Sequence, residues 1–366
     1  MAVHQTVTLT NFRSYDTGRF ELDPRITLVV GPNASGKTNL LESLYVLSTT
    51  KSFRAKDRDL VRHEQNHYRV VVTGEYGEVS LGFEKNTGQG TKKLAYDGAK
   101  QSLASHIGRF AATLFEPSDL DLLHGAPEQR RRYLDGILCQ TDATYLRTMS
   151  EYRRVLKQRN SLLDGFSPEQ IKSQIFAWDV RLAGTAADIY TRRLALIAEL
   201  NQLSPGVYER IAREPVAFTL SYQGSVAVPA DDYADAFLQA LERNLLRDLA
   251  VGFTTIGPHR EDFKVKFRES DITSVASRGE VRTAILALKL AEIGYIERTT
   301  SVKPILLLDD VFSELDRERR IQLLGQLDGY QTIITTTDAD HIRDDLPSGY
   351  STIYTSTPAT EASKNA

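Results

Sequence analysis

The sequence predicts an α/β fold with a long helical insertion, and three observations carry that prediction. An apolar run near residue 28 leads into a glycine-bearing loop and then a helical pattern. A second apolar run, Pro304 to Leu308, ends in two aspartates. Between them, from Pro127 to about Leu203, apolar positions recur at helical spacing. The architecture expected is mixed and antiparallel sheets with helices, plus a helical arm domain built on a long helix hairpin. At 366 residues, 41% hydrophobic and 25% charged, the chain suffices for two or three domains with sizeable cores. No apolar run approaches the ~20 residues a membrane-spanning helix needs. The start, Met1-Ala2-Val3-His4-Gln5-Thr6, lacks the basic-then-apolar pattern of a secretory leader. A single cysteine, Cys139, excludes an intramolecular disulfide and a cysteine-built metal site, so the expected location is the cytoplasm. Net charge is −3, which gives no global pull toward nucleic acid; a DNA contact would need a local patch or a surface made by association.

Taken in order, residues 3–30 alternate apolar and polar positions, as half-buried strands do. Tyr68–Thr73 and Glu78–Phe83 read as further strands, and the Gly/Lys/Thr-rich stretch 85–93 as a hairpin tip. From Pro127, well placed as a first-turn residue, the pattern is helical. Asp164-Gly165-Phe166-Ser167-Pro168 divides it into two segments of about 35 residues each, which suggests an antiparallel hairpin. Strand-like runs return near 215–222 and 262–268, and the polar stretch 356–366 is expected to be disordered. No internal repeat is visible.

The glycine-bearing loop is Gly31-Pro32-Asn33-Ala34-Ser35-Gly36-Lys37-Thr38, which fits G-x-x-x-x-G-K-[ST]. Ile26-Thr27-Leu28-Val29-Val30 ahead of it reads as a buried strand, and Leu40, Leu41, Leu44 and Leu47 behind it as a helix opening at about Lys37. In that setting backbone N–H groups face phosphate oxygens, Lys37 supplies positive charge, and the Thr38 hydroxyl ligates Mg²⁺. The chemistry expected is ATP binding with Mg²⁺.

Pro304–Asp310 supplies the complementary half. Asp309 would hold Mg²⁺ through its water shell, and Asp310 is placed to polarise an attacking water. Ser313-Glu314-Leu315-Asp316 resembles the D-loop of ABC-type ATPases, and a further strand, Gln331–Thr336, leads to Thr337-Asp338. ABC transporters usually carry a γ-phosphate-contacting histidine at the position of Thr337. A hydroxyl there predicts slow hydrolysis. Ser277-Arg278-Gly279-Glu280, opening a helical run, resembles the signature motif that completes a partner chain's ATP site. On that reading Ser277 and Gly279 serve the nucleotide of a second copy, and ATP drives dimerisation.

The combination of Leu9–Tyr15, Gly31–Thr38, Lys51-Ser52-Phe53-Arg54, Phe115–Leu120, Glu128–Asp135, Gly257-Pro258-His259-Arg260-Glu261-Asp262 and Leu306–Asp316 resembles the RecF family, a group of SMC-like ATPases without the long coiled coil. The resemblance covers about 3–340, in the family's order. It implies an ATP-dependent DNA-binding homodimer with weak DNA-stimulated ATPase activity, acting on duplex and single/double-strand junctions. It also implies RecO and RecR as partners, RecA loading at gaps, a part in the SOS response, and no membrane. The corresponding division is an ATPase head over 1–122, an arm over 123–250, the head resumed over 251–355, and a tail over 356–366.

Arg13, after the first strand, is a candidate for reaching the phosphates or stacking on the base, and a surface arginine fits as well. Glu116 falls where ABC ATPases often have a γ-phosphate-sensing glutamine. Arg130, Arg131, Arg132, Arg147, Arg153, Arg154, Lys157 and Arg159 are candidates to track a DNA backbone, although a solvated helix reads the same way. His259-Arg260 is marked only by the resemblance. Two other functions compete: the nucleotide-binding subunit of a transporter, against which Thr337 and the arm speak, and a scaffold in which ATP only stabilises the fold.

Overall fold

The structure, a computed structural model, describes residues 5–356 except Tyr76, Gln89 and 164–167. The expected turn at 164–167 and the tail after Ser356 lie outside the described residues. The chain forms two compact units, residues 1–120 with 292–366, and residues 121–291.

The first unit opens with β1 (Gln5–Phe12), β2 (Tyr15–Leu22), β3 (Ile26–Val30) and α1 (Lys37–Thr49). It continues with β4 (His67–Gly74), β5 (Gly77–Glu84), β6 (Thr91–Tyr96), β7 (Ala99–Gln101), α2 (Leu103–His106) and β8 (Ala112–Phe115). Six strands make an antiparallel sheet in the order β2-β1-β4-β5-β6-β7. The expected hairpin tip at 85–93 follows β5 and ends inside its antiparallel neighbour β6, of which Thr91, Lys92 and Lys93 are the first residues.

A second, five-stranded parallel sheet combines β3 and β8 with β12 (Ile305–Asp309), β13 (Thr332–Thr336) and β14 (Ser351–Tyr354), in the order β14-β3-β13-β12-β8. Every residue of β3 and β13 is buried, the pattern of strands covered on both faces. Leu40, Leu41, Leu44 and Leu47 of α1 share one apolar cluster with Val7, Leu9, Val70 and Leu81 of the antiparallel sheet and with Leu307 and Ile333 of the parallel one. Burying α1 from two sides fixes the direction in which its first turn points.

The second unit holds α3 (Pro127–Thr141), α4 (Ala143–Leu163), α5 (Pro168–Ala212), β9 (Phe218–Gln223), α6 (Tyr233–Val251), β10 (Asp262–Phe267), β11 (Ser270–Asp271), α7 (Ile272–Val275) and the first part of α8 (Arg278–Thr300). Ion pairs and hydrogen bonds along α4 and α5 join Asp142 to Arg192, Thr148 to Asp188, Glu151 to Arg181 and Arg159 to Asp179. One set of numbers rises as the other falls, so the two helices are antiparallel. The first expected helical segment is broken at Asp142, whose carboxylate accepts from the N–H groups of Thr144 and Tyr145 and starts a new helix. The second runs unbroken for 45 residues with Pro205 inside it.

The boundary expected at 250 also moves, because this unit extends to Ala291. β10 pairs along its whole length with β9, and Glu261 accepts hydrogen bonds from Tyr222, Tyr233 and the Ser225 N–H, so the segment after 250 is joined to the helical unit. The remaining helices, α9 (Arg317–Gln326) and α10 (Asp340–Arg343), belong to the first unit.

Candidate functional site

The carboxyl ends of β3, β12 and β13 lie side by side, the position at which parallel sheets bind ligands. The loop Gly31–Gly36 leaves β3 and delivers Lys37 as the first residue of α1. Gly36 has φ +97°, and a side chain there would put Cβ 2.6 Å from the Tyr15 hydroxyl, which donates to the Gly36 carbonyl at 3.1 Å. Ala34 also takes a left-handed φ of 65°. Pro32, Asn33 and Ala34 are exposed, while Ser35, Gly36 and Lys37 are buried. The Lys37 ammonium donates to the carbonyls of Gly31 at 2.7 Å and Pro32 at 3.0 Å. Burial pushes its pKa down, opposed by the carboxylates of Asp310 and Asp309.

Thr38 donates to Asp309 Oδ1 at 2.9 Å, and Thr335 on β13 donates to the same oxygen at 2.8 Å. The Thr335 hydroxyl in turn accepts from the Asp310 N–H at 3.0 Å. Asp310 sits in the left-handed region at φ 53°. Burial raises its carboxyl above the ordinary aspartate range; Asp309 and Glu314 push the same way and Lys37 against. The structure thus brings together Lys37, Thr38, Asp309 and Asp310. Thr337 follows β13 directly and is exposed.

Arg13 is held by Glu42 of α1. Its guanidinium makes a two-pronged contact with Glu42, both bonds 2.8 Å, and donates to the Asp59 carbonyl at 3.0 Å. Glu42 is wholly buried on α1 and also accepts from Arg54 at 2.9 Å and Ser52 at 2.6 Å. Burial alone would raise the Glu42 carboxyl; the bonds from Arg13, Arg54 and Ser52 outweigh it and hold the pKa low. Glu116 accepts from its neighbour Ser118 at 2.5 Å.

In the second unit, Ser277 stands exposed just before α8. Its N–H donates to Glu280 at 2.7 Å and its hydroxyl accepts from the Glu280 N–H at 3.3 Å, a reciprocal capping box. Gly279 lies in the first turn of α8, where its carbonyl accepts from Thr283.

Three of the basic residues considered for DNA are committed internally. Arg159 is fully buried between Asp179 at 2.6 Å and Asp248 at 2.7 Å; Arg130 forks onto Asp262 at 2.7 and 2.8 Å; and Arg131 donates to the Glu261 carbonyl. A buried charge needs such partners, which is why these arginines turn inward. Arg132, Arg147, Arg153, Arg154 and Lys157 are exposed.

His259 serves the interior as well. Its Nε2 donates to the Thr254 carbonyl at 3.1 Å, and its Nδ1 accepts from the Tyr152 hydroxyl at 2.6 Å. Arg260 lies over the Phe253 ring at 5.0 Å. Reasoning from the sequence gave no role to Glu42, Thr335 or Tyr15, although Tyr15 ends the Leu9–Tyr15 run and Thr335 lies in the Gln331–Thr336 strand.

The family model described as RecF/RecN/SMC N terminal domain matches residues 3–355. The DNA replication and repair protein RecF of Lachnoclostridium phytofermentans is 35% identical over 91% of this chain and 92% of its own length. The chain belongs to the RecF family. The RecF of Lactobacillus acidophilus is 36% identical over 93% of each chain. Among solved structures, the recombination mediator protein RecF with ATPrS, described as part of the RecFOR pathway, superposes with a TM-score of 0.83 at 31% identity, covering 92% of this chain and 93% of that one. The RecF–ATP structure gives 0.80 at 31%, covering 92% of each. The RecF assignment accounts for the head with its two sheets. Among the described residues no helix is long and apolar enough to cross a membrane.

Proposed function

We propose that this RecF-family chain is an ATP-dependent DNA-binding protein of recombinational repair and replication, which closes as a homodimer on ATP and releases DNA on hydrolysis. The observation that carries the reading is the meeting of Lys37, Thr38, Asp309 and Asp310 at the ends of neighbouring parallel strands. The start of α1 suits a triphosphate: Gly36 offers no side-chain cap, and the first turn carries no acidic residue. The donors suit Mg²⁺, a hard cation that takes one or two protein oxygens and fills its remaining positions with phosphate and water. Bound there, the ion would offset phosphate charge and fix the geometry of in-line attack.

In this reading Lys37 exchanges the Gly31 and Pro32 carbonyls for phosphate oxygens, and the N–H groups of the loop from Asn33 and of the start of α1 line the phosphates. Thr38 and Asp309 hold the metal, with Thr335 orienting Asp309. Asp310 accepts the proton of the attacking water, and Thr337 contacts the γ-phosphate as a weak polar partner, which keeps turnover slow. Ser277 and Gly279 meet the nucleotide of a second copy. Arg13 acts through Glu42, bracing α1 behind the loop. The ATPase is weak and stimulated by DNA, the DNA is duplex or a single/double-strand junction, and the protein works in the cytoplasm with RecR and RecO to load RecA, with a part in the SOS response. The relatives' names and the nucleotide-bound structures support this assignment.

The test is fluorescence anisotropy of a labelled duplex titrated with the protein in ATP, in ADP and without nucleotide. Binding that tightens with ATP alone is expected. Equal binding in all three conditions would sink nucleotide gating and leave ATP as a structural ligand.

A further inference from the structure

The phosphate loop is tied at its back to the C-terminal strand. β14 lies parallel to β3 with Tyr354 opposite Val30, and the Thr355 N–H extends the ladder by donating to the Val30 carbonyl at 2.8 Å. The next contact leaves the sheet and enters the loop: the hydroxyls of Thr355 and Ser35 share a hydrogen bond at 2.6 Å. Ser35 is only 3% exposed. It stands between two residues in the left-handed region, Ala34 at φ 65° and Gly36 at φ 97°. For Ala34 that conformation is sterically disfavoured, and it persists only where the surroundings enforce it. Gly31 shows how closely Thr355 approaches: an added Cβ would lie 2.3 Å from the Thr355 hydroxyl and 2.4 Å from its backbone oxygen. Thr355 therefore forms a wall against both ends of the loop, at Gly31 and at Ser35.

We infer that Thr355 is a positioning residue for nucleotide binding, whose hydroxyl holds Ser35 so that the loop's N–H groups stay aimed at the phosphates. Nothing in the loop motif assigns this residue, which lies 320 positions from Ser35. The inference rests on the proposed ATP site. Because the loop keeps its shape through this contact, the affinity of that site depends on a residue outside the loop motif.

The experiment measures the affinity of a fluorescent ATP analogue for the full chain and for T355V, T355S, S35A and T355V/S35A, alongside the melting temperature of each without nucleotide. One lost hydrogen bond predicts affinity about 3- to 10-fold weaker for T355V. T355S, which restores the hydroxyl, should bind within about twofold of the parent, and nucleotide-free melting should stay within about 2 °C throughout. The double variant should bind no worse than the weaker single one, because both changes remove the same contact. Parent-like binding by T355V, or losses that add in full, would overturn the inference while leaving the ATP reading intact. A parent chain that binds no nucleotide would remove the ATP reading itself.

Discussion

Acid should weaken the helical unit through His259. In the folded chain burial pushes the imidazole down from 6.5 to about 4, against the help of the Thr254 carbonyl, with Arg260 and Arg131 also disfavouring a second proton. The unfolded chain takes up that proton near pH 6.5. Between the two values the unfolded state binds the extra proton and the folded state does not, so stability falls as pH drops from about 6.5 toward 4 and levels off below. At about 1.36 kcal/mol per unit the full span is about 3 kcal/mol, an upper limit for a partly exposed ring, of which about 2 kcal/mol falls between pH 7 and 4.5. The perturbation is His259→Gln, which retains a donor for the Thr254 carbonyl and removes the titration. The assay is urea unfolding at a series of pH values, followed by Trp178, the single tryptophan, which lies on α5 in the same unit. The parent should lose about 2 kcal/mol more than the variant between pH 7 and 4.5. Stability curves that stay parallel, within about 0.5 kcal/mol, would refute a ring held neutral by the fold.

Asp310→Asn should slow ATP hydrolysis by about 10²- to 10⁴-fold while nucleotide affinity holds, and undiminished phosphate release would remove Asp310 as the base. Because the Asp310 carboxyl is raised by burial, parent turnover should fall on acidification before an ordinary aspartate would protonate, a fall to be read from the pH–rate profile. Arg159→Leu strands Asp179 and Asp248 without their shared cation and should cost about 3–5 kcal/mol, visible as a lower urea midpoint on the Trp178 signal; an unchanged midpoint would refute it. Ser277→Arg should keep ATP affinity but abolish ATP-dependent dimers in light scattering, and dimers that persist would end the shared-site model.

The sequence revealed the nucleotide side of this molecule well because its chemistry is local. The loop from Gly31 to Thr38 carries its conformation in its glycines, and the apolar run Leu306–Leu308 announces a buried strand whose aspartates lie at its exit. What stayed hidden depends on distant pairing. Arg159 and Lys157 look alike in a list of basic residues, yet one is sealed between two carboxylates and the other faces solvent. Glu42 reads as the polar side of a helix and is instead the buried anchor of two arginines. The break at Asp142 went unnoticed because a single capping aspartate interrupts the helical period without a glycine or proline to mark it. Arg13 fits a phosphate contact by position, and its hold on α1 through Glu42 has no signal in the sequence.

The strand order has a bearing on how the chain is made. β3 has two sheet neighbours, β13 and β14, and both come from the last stretch of the sequence. During synthesis Ile26–Val30, an uncharged and β-branched segment, emerges early and waits for Thr332–Thr336 before any strand pairs with it. Thr38 likewise meets Asp309 only across 271 positions. A ribosome-bound or prematurely ended chain therefore carries the phosphate loop without the carboxylates, on an unpaired apolar edge prone to aggregation. Nucleotide can reward folding only once β12 and β13 have been made, which ties the appearance of the ATP site to a segment synthesised 271 positions after the loop.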